Sequence, residues 1–327
     1  MEQPMPQQRS AELPADSRPR VVVGVDGSPG SRAALVEGWL TAARRGALLD
    51  VVAAVPPQHA WTGAAPAGEP SGDVRTDTVA RARALVDEVV AEGLADAVQV
   101  RIRSVPGRPT DVLVDAAEGA AALVVGSRGR GAVRSAVVGS VALHCVTHAH
   151  VPVEVVHAAP RTQASGVVVG VDGSPASLGA LRAAIDEAAL RGTTVRVLAA
   201  WDVATMWSDM YALTATEKNA VVTRLERAVD DAVTAAREEA ASVLGPGTPR
   251  ITSDVVEGPA SDVLVSAADS AQLLVVGSRG HGAIRGLLLG SVALGCVVHA
   301  PGPVLVVPPP PRPAPAAAAA APALAHT

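Results

Sequence analysis

Apolar and polar positions along the chain form two kinds of stretch. Short valine-rich runs at Arg20 to Asp26, Leu49 to Val55, Val98 to Val105, Ala121 to Gly126 and Val151 to Val156 read as strands buried on both faces. Longer stretches between them carry apolar residues at helical spacing. Ser31 to Arg45 puts Ala33, Ala34, Leu35 and Ala42 on candidate inner faces, and Thr76 to Gly93 reads as a charged amphipathic helix. Pro109 to Glu118 is a helix opened by proline, and Gly139 to Ala149 is another. The same order then returns, with strands starting near Val167, Thr194, Arg250, Gln272 and Pro303. Strands alternating with helices predict an α/β fold built on a parallel sheet with right-handed crossovers. In such doubly wound sheets ligands bind beyond the carboxyl ends of the strands.

The return is a duplication. VVVGVDGSP at Val21 to Pro29 recurs unchanged at Val167 to Pro175. LVVGSRGRGAVRSAVVGSVALHCV from Leu123 comes back as LVVGSRGHGAIRGLLLGSVALGCV from Leu274. Two copies of one domain follow, at 20–157 and 166–307, with a disordered segment expected at 1–19 and a disordered Pro/Ala-rich tail at 308–327. Aromatic residues are only 2% of the chain and Phe is absent, so the cores must be made of Val, Leu and Ala. A net charge of −5 without a long basic run argues against nucleic-acid binding. Cys145 and Cys296 occupy equivalent apolar stretches and read as small buried hydrophobes, with no disulfide framework or metal spacing. The N-terminus, MEQPMPQQRS, lacks the apolar core of a signal peptide, and no stretch reads as a membrane span, so the expectation is a soluble cytoplasmic protein.

The candidate chemistry lies at strand ends. Asp26-Gly27-Ser28-Pro29 follows the first strand and Asp172 repeats the arrangement. The carboxylates can meet a ribose or help hold a metal ion on phosphates; equally, Asp26 or Ser28 can cap the helix that Pro29 opens. After the fourth strand comes Gly126-Ser127-Arg128-Gly129, then nine residues that begin with Arg130, Gly131 and Ala132, then Gly139-Ser140. The second copy runs Gly277-Ser278-Arg279-Gly280, with His281, Gly282 and Ala283, to Gly290-Ser291. Glycines let backbone N–H groups approach a phosphate, and a helix opened by Gly-Ser offers its free N–H groups and dipole to an anion. Gly129 and Gly280 are expected to adopt positive φ against that phosphate. Arg128, Arg130 and Arg134 surround the first loop. A single Gly-Ser pair would read as an ordinary turn and cap; the full spacing, twice, reads as a phosphate site. A Walker-type loop is absent, as is G-x-G-x-x-G after the first strand, and the chain's one lysine, Lys218, lies in a charged helix. His148 and His299, at equivalent helix ends, read as charges at a helix C-terminus. Catalysis is not assigned to any residue.

The pattern G-x2-G-x9-G-[ST] after a valine-rich strand, with V-x-V-D-G-S at the first strand, resembles the universal stress protein family, most of all its tandem two-domain members from actinobacteria. The resemblance covers about residues 20–307 and both motifs in both copies. It implies two five-stranded parallel sheets of order 3-2-1-4-5 and binding of ATP, two per chain with Mg2+, or of cyclic AMP. It places Asp26 and Asp172 on the ribose or metal side and wraps the phosphates with Gly126, Gly129, Gly139 and Ser140, and with Gly277, Gly280, Gly290 and Ser291. Gly24, Gly170 and Val203 line the adenine pocket on this reading. Val55-Pro56-Pro57 stands where the second copy has Trp201-Asp202-Val203, so the two adenine pockets should differ. The implied role is a nucleotide-dependent regulator of stress response or dormancy that meets an unknown protein partner; a slow ATPase or a cyclic-AMP signalling protein is the alternative. The fifth strands of the two copies are short, apolar sheet edges, through which the chain is expected to form a homodimer; pairing of the two halves within one chain, as a pseudo-dimer, is the arrangement left open.

Overall fold

The structure is a computed structural model that describes residues 18–55, 72–94, 98–129, 138–157, 164–202, 215–280 and 289–310. The first half runs β1 (Arg20–Gly24), α1 (Pro29–Arg45), β2 (Leu48–Val55), α2 (Gly72–Ala91), β3 (Val100–Pro106), α3 (Pro109–Ala117), β4 (Ala122–Gly126), α4 (Ser140–His148) and β5 (Val153–Val156). The second runs β6 (Val167–Gly170), α5 (Pro175–Arg191), β7 (Val195–Trp201), α6 (Ala215–Leu244), β8 (Ile251–Glu257), α7 (Ala260–Ala268), β9 (Leu273–Gly277), α8 (Ser291–His299) and β10 (Val304–Val307). The strand order is β3-β2-β1-β4-β5-β10-β9-β6-β7-β8 in one sheet, so each half has the expected 3-2-1-4-5 arrangement.

All pairings within a half are parallel, and the one between halves is antiparallel: Val304 opposes Val155, Leu305 opposes Glu154 and Val306 opposes Val153. Of the two arrangements open to the fifth strands, the structure has the one within a single chain. Each edge is thereby taken by the other half, and neither is open to a second chain. The expected strand of Val151 to Val156 is shorter, starting at Val153, and β1 stops at Gly24 because the chain turns away through Gly27 at φ 78°.

Strand residues alternate between two faces. Val22, Leu123, Val125, Val153 and Val155 join α3 and α4 in a core that continues without a break into Val304, Val306, α7 and α8 of the second half. On the opposite face the cores are separate. Val21, Val23 and Val124 pack under α1 and α2, and Val167, Val169 and Leu305 pack under α5 and α6. Cys145 and Cys296 are fully buried and unpaired, and burial pushes each thiol up to about 12, as befits inert core groups.

The repeated helices start and stop by the same local chemistry. Ser28 caps α1 by accepting a hydrogen bond from the Ser31 amide, Pro29 supplies the first turn, and Gly46 ends the helix in the left-handed region at φ 57°. Ser174, Pro175 and Gly192, at φ 62°, do the same for α5.

Candidate functional site

In each half the strand order reverses between the first and fourth strands. From β1 the chain passes to α1 on one face, and from β4 it passes to α4 on the other. A crevice therefore opens beyond Gly24 and Gly126, and its equivalent opens beyond Gly170 and Gly277.

Asp26 accepts a hydrogen bond from the Ser28 amide on Oδ1, at 2.9 Å, and Asp172 accepts one from Ser174 at the same distance. Ser28 Oγ accepts from the Ser31 amide at 3.1 Å and donates to the Arg128 carbonyl at 3.4 Å, tying the helix cap to the glycine loop. Ser174 does this at 3.2 Å and 3.5 Å with Ser177 and Arg279. Both readings of this segment thus have a place: the serine caps the helix, while the carboxylate closes a tight turn and stays exposed at the crevice. Ser31 and Ser177, which the motif reading passed over, donate back to the carbonyls of Ser28 and Ser174 at 2.9 Å and 3.0 Å and lock the turn. The signal for them was their recurrence in GSPGS and GSPAS.

The glycine loop is fixed at both ends by one residue. The Ser127 amide donates to Val156 at the end of β5, and the Ser127 carbonyl accepts from the Gly139 amide at 2.7 Å. Ser278 repeats this with Val307 and Gly290, at 2.8 Å each. Ser127 and Ser278 are buried, whereas Arg128 and Arg279 are not. Gly139 and Gly290 sit at the N-cap positions of α4 and α8, and no side chain caps either helix. Among the described residues no side-chain acceptor meets the first-turn N–H groups that begin at Ser140 and Ser291.

The glycines differ in what a side chain would meet. Gly129 and Gly280 do not have positive φ, contrary to the expectation. A Cβ on Gly129 would stand 2.6 Å from Asp26 Oδ2, and one on Gly280 still closer to Asp172, so a side chain there would force the carboxylate to move. Gly126 faces the backbone of Gly30. Gly24 and Gly170 make room for Leu113 and Leu264, whose methyls would lie 2.8 Å and 2.7 Å from a Cβ. At Gly139 and Gly290 the nearest atoms among the described residues would be at 3.5 Å, an ordinary contact, so the packing of those residues does not demand glycine there. Arg130, Gly131, Ala132, Arg134, Val203, His281, Gly282 and Ala283 lie outside the described residues.

The contact between Asp26 and Gly129 makes a specific prediction. Gly129→Ala should cost about 1–3 kcal/mol through overpacking against the carboxylate. Most of that cost should vanish in the Asp26→Ala background, where the obstructing oxygens are gone. A double-mutant cycle in denaturant measures the coupling, and additive effects would rule the contact out.

One neighbour of the crevice was not anticipated. His157, just past β5, places Nδ1 3.0 Å from the Gly302 carbonyl oxygen of the second half. Burial holds its pKa below the ordinary value, with the Arg128 guanidinium acting in the same direction. The first crevice thus borders the second half through a residue whose counterpart is Pro308. His148 Nδ1 lies 3.0 Å from the His144 carbonyl in the last turn of α4, in keeping with a helix-end role. Among the described residues no group of three or more His, Cys, Asp or Glu is placed to hold a metal ion, so Asp26 and Asp172 stand as single carboxylates. No described helix is long and apolar enough to cross a membrane.

The fold defines a tandem doubly wound α/β protein, with one strand-end crevice in each repeat. The model of the Universal stress protein family matches residues 18–157 and again 165–308, and the chain belongs to that family. The universal stress protein Rv2005c of Mycobacterium tuberculosis is 36% identical over 303 residues, covering 89% of this chain and 98% of the relative. Rv2623 of the same organism is 32% identical over 296 residues, covering 88% and 95%. A crystal structure of a universal stress protein from Archaeoglobus fulgidus DSM 4304 superposes with a TM-score of 0.58 at 17% identity, over 89% of this chain and 96% of that one, a likeness of fold.

Proposed function

We propose that the protein binds two ATP-like nucleotides, one per crevice, and acts as a nucleotide-dependent regulator in stress or dormancy. The observation that carries this reading is the N-terminus of α4 and of α8, which no side chain among the described residues caps, each preceded by a glycine that the packing of the described residues does not require. A phosphate chain accounts for that glycine: it occupies the space a side chain would fill and accepts from the uncapped N–H groups. Ser140 and Ser291 add hydroxyl donors, and Arg128 and Arg279 add positive charge. Asp26 and Asp172 meet the ribose or a phosphate-bound Mg2+, with one carboxylate oxygen already committed to the turn. Mg2+ would supply charge neutralisation of the phosphates. Hydrolysis, on this reading, is slow at most, with turnover far below the roughly 10 per second of a typical enzyme. Self-association between chains would use the helix faces bearing Leu143 and Leu294, exposed by 39% and 40%, because the fifth-strand edges are taken within the chain.

Calorimetric titration with ATP and Mg2+ tests the reading and should give a stoichiometry near two. Gly139 has φ −79° and ψ 154°, an extended conformation any residue adopts, so Gly139→Val should fold. It should weaken binding at its own site at least about tenfold, roughly 1.4 kcal/mol, and leave the other site intact; Gly290→Val should do the converse. Unchanged affinity in the double variant would place the phosphates elsewhere. Cyclic AMP titrated in parallel separates the two nucleotide readings.

A further inference from the structure

The face of the sheet where the two cores are separate carries a cluster of charges at the joint. Glu154, in the centre of β5, is 2% exposed and points to the α1 and α5 side, between Val124 of β4 and Leu305 of β10. Leu305 is also its counterpart in the repeat, so the approximate two-fold axis between the halves passes through this pair. The charged groups facing it are Glu37 and Arg44 from α1, and Glu187 and Arg191 from α5. Arg45 pairs with Glu187 from the α1 side, and Asp186 borders Arg45.

The arginines are engaged by the other carboxylates. Arg191 Nη2 donates to Glu37 at 3.1 Å and its Nε donates to Glu187 at 3.1 Å, while Arg44 donates to Glu37 at 3.2 Å. Arg191 stands 3.7 Å from Glu154 Oε1, beyond hydrogen-bond reach, and that oxygen is buried without a hydrogen-bond partner. A carboxylate in this position would be a buried charge whose Oε1 accepts no hydrogen bond and whose neighbouring cation, Arg191, is shared with two other carboxylates.

We propose that Glu154 is held as a neutral, protonated acid at the joint between the two domains, and that loss of its proton loosens the β5–β10 pairing. The electrostatics agree with the geometry. Burial is the main cause, with Glu37 and Glu187 adding to it against Arg191 and Arg44, and the group is pushed up to about 8. Helices α1 and α5 each run from a crevice, where Ser28 and Ser174 bond the glycine loops, to this cluster. The proton therefore sits where the frameworks of both crevices meet. This inference stands whether or not a nucleotide binds.

The sign follows from linkage. With the folded-state value above that of the unfolded chain, stability is full below the ordinary carboxyl range. It is lost as pH rises to about 8 and is level beyond, where both states have released the proton.

Carbon-13 labelling of the glutamate δ-carbons in the full-length protein reads the proton directly. One glutamate should remain protonated at pH 7 and titrate near 8, and Glu154→Gln should lack that signal. In urea, the unfolding equilibrium constant of the wild type relative to Glu154→Gln should rise about tenfold per pH unit between about pH 5 and 8. Amide protection at Val153, Val155, Val304 and Val306 should fall over the same range. Glu154→Leu, which copies the residue of the other repeat, should abolish the pH dependence. If every glutamate titrates below about pH 6, or if wild-type and variant curves run parallel, the proposal is overturned. The labelled wild type decides the question without any variant.

Discussion

Gly126→Ala should destabilise the protein by about 3 kcal/mol, near the top of the range for overpacking. The new Cβ would lie 2.5 Å from the carbonyl carbon and oxygen of Gly30 and 3.0 Å from the Ser31 amide. None of these atoms can yield easily. The first turn of α1 is held by the Ser28 cap and by the bond from Ser28 to the Arg128 carbonyl, and β4 is fixed between β1 and β5. The second repeat supplies an internal comparison. It has Ala176 where the first has Gly30, and a Cβ on Gly277 would lie 2.8 Å from that backbone, so α5 stands slightly farther from β9. Gly277→Ala should accordingly cost less than Gly126→Ala. Denaturant midpoints measure both, and a cost below about 1 kcal/mol at Gly126 would mean that the helix and strand are not rigidly apposed.

Arg191→Met should cost about 3–5 kcal/mol, the range for removing one partner of a buried ion pair. The guanidinium is 5% exposed and satisfies Glu37 and Glu187, which are 16% and 5% exposed. Its loss leaves two carboxylates with reduced compensation in the joint between the domains. Arg32 is the control. It pairs with Glu88 and Glu92 at the surface, where its removal should cost less than about 1 kcal/mol. Equal effects at the two arginines would show that the cluster is wetter than its burial implies.

Much of this architecture was legible in the sequence because it rests on local chemistry repeated twice. The valine runs, the Ser-Pro helix starts and the glycine spacing recur at equivalent positions, and each corresponds to an element or turn of the structure. What escaped was set by long-range packing. Glu154 looked like one polar residue in a short apolar strand, because Glu37 and Arg191, which define its surroundings, belong to distant helices. The reason for glycine at 129 was misjudged for the same cause. The obstacle is the side chain of Asp26, about 100 residues earlier in the chain, and not the local backbone conformation. The choice between pairing the fifth strands within a chain or between chains was also beyond local patterns, since it depends on how the halves fold back on each other. His157 gave no signal, because its neighbour Gly302 comes from the opposite repeat.

The antiparallel closure of the sheet sets a timetable for the chain as it is made. β5 leaves the ribosome about 150 residues before β10, the strand that covers it. At 5–20 residues per second the first domain waits roughly 8–30 s with a complete set of its own strands and one bare apolar edge. During that interval nascent chains on neighbouring ribosomes present the same unpaired strand to one another. A polypeptide cut short before Val304 lacks the strand that covers β5, so premature termination should yield a product whose β5 edge has no partner within its own chain.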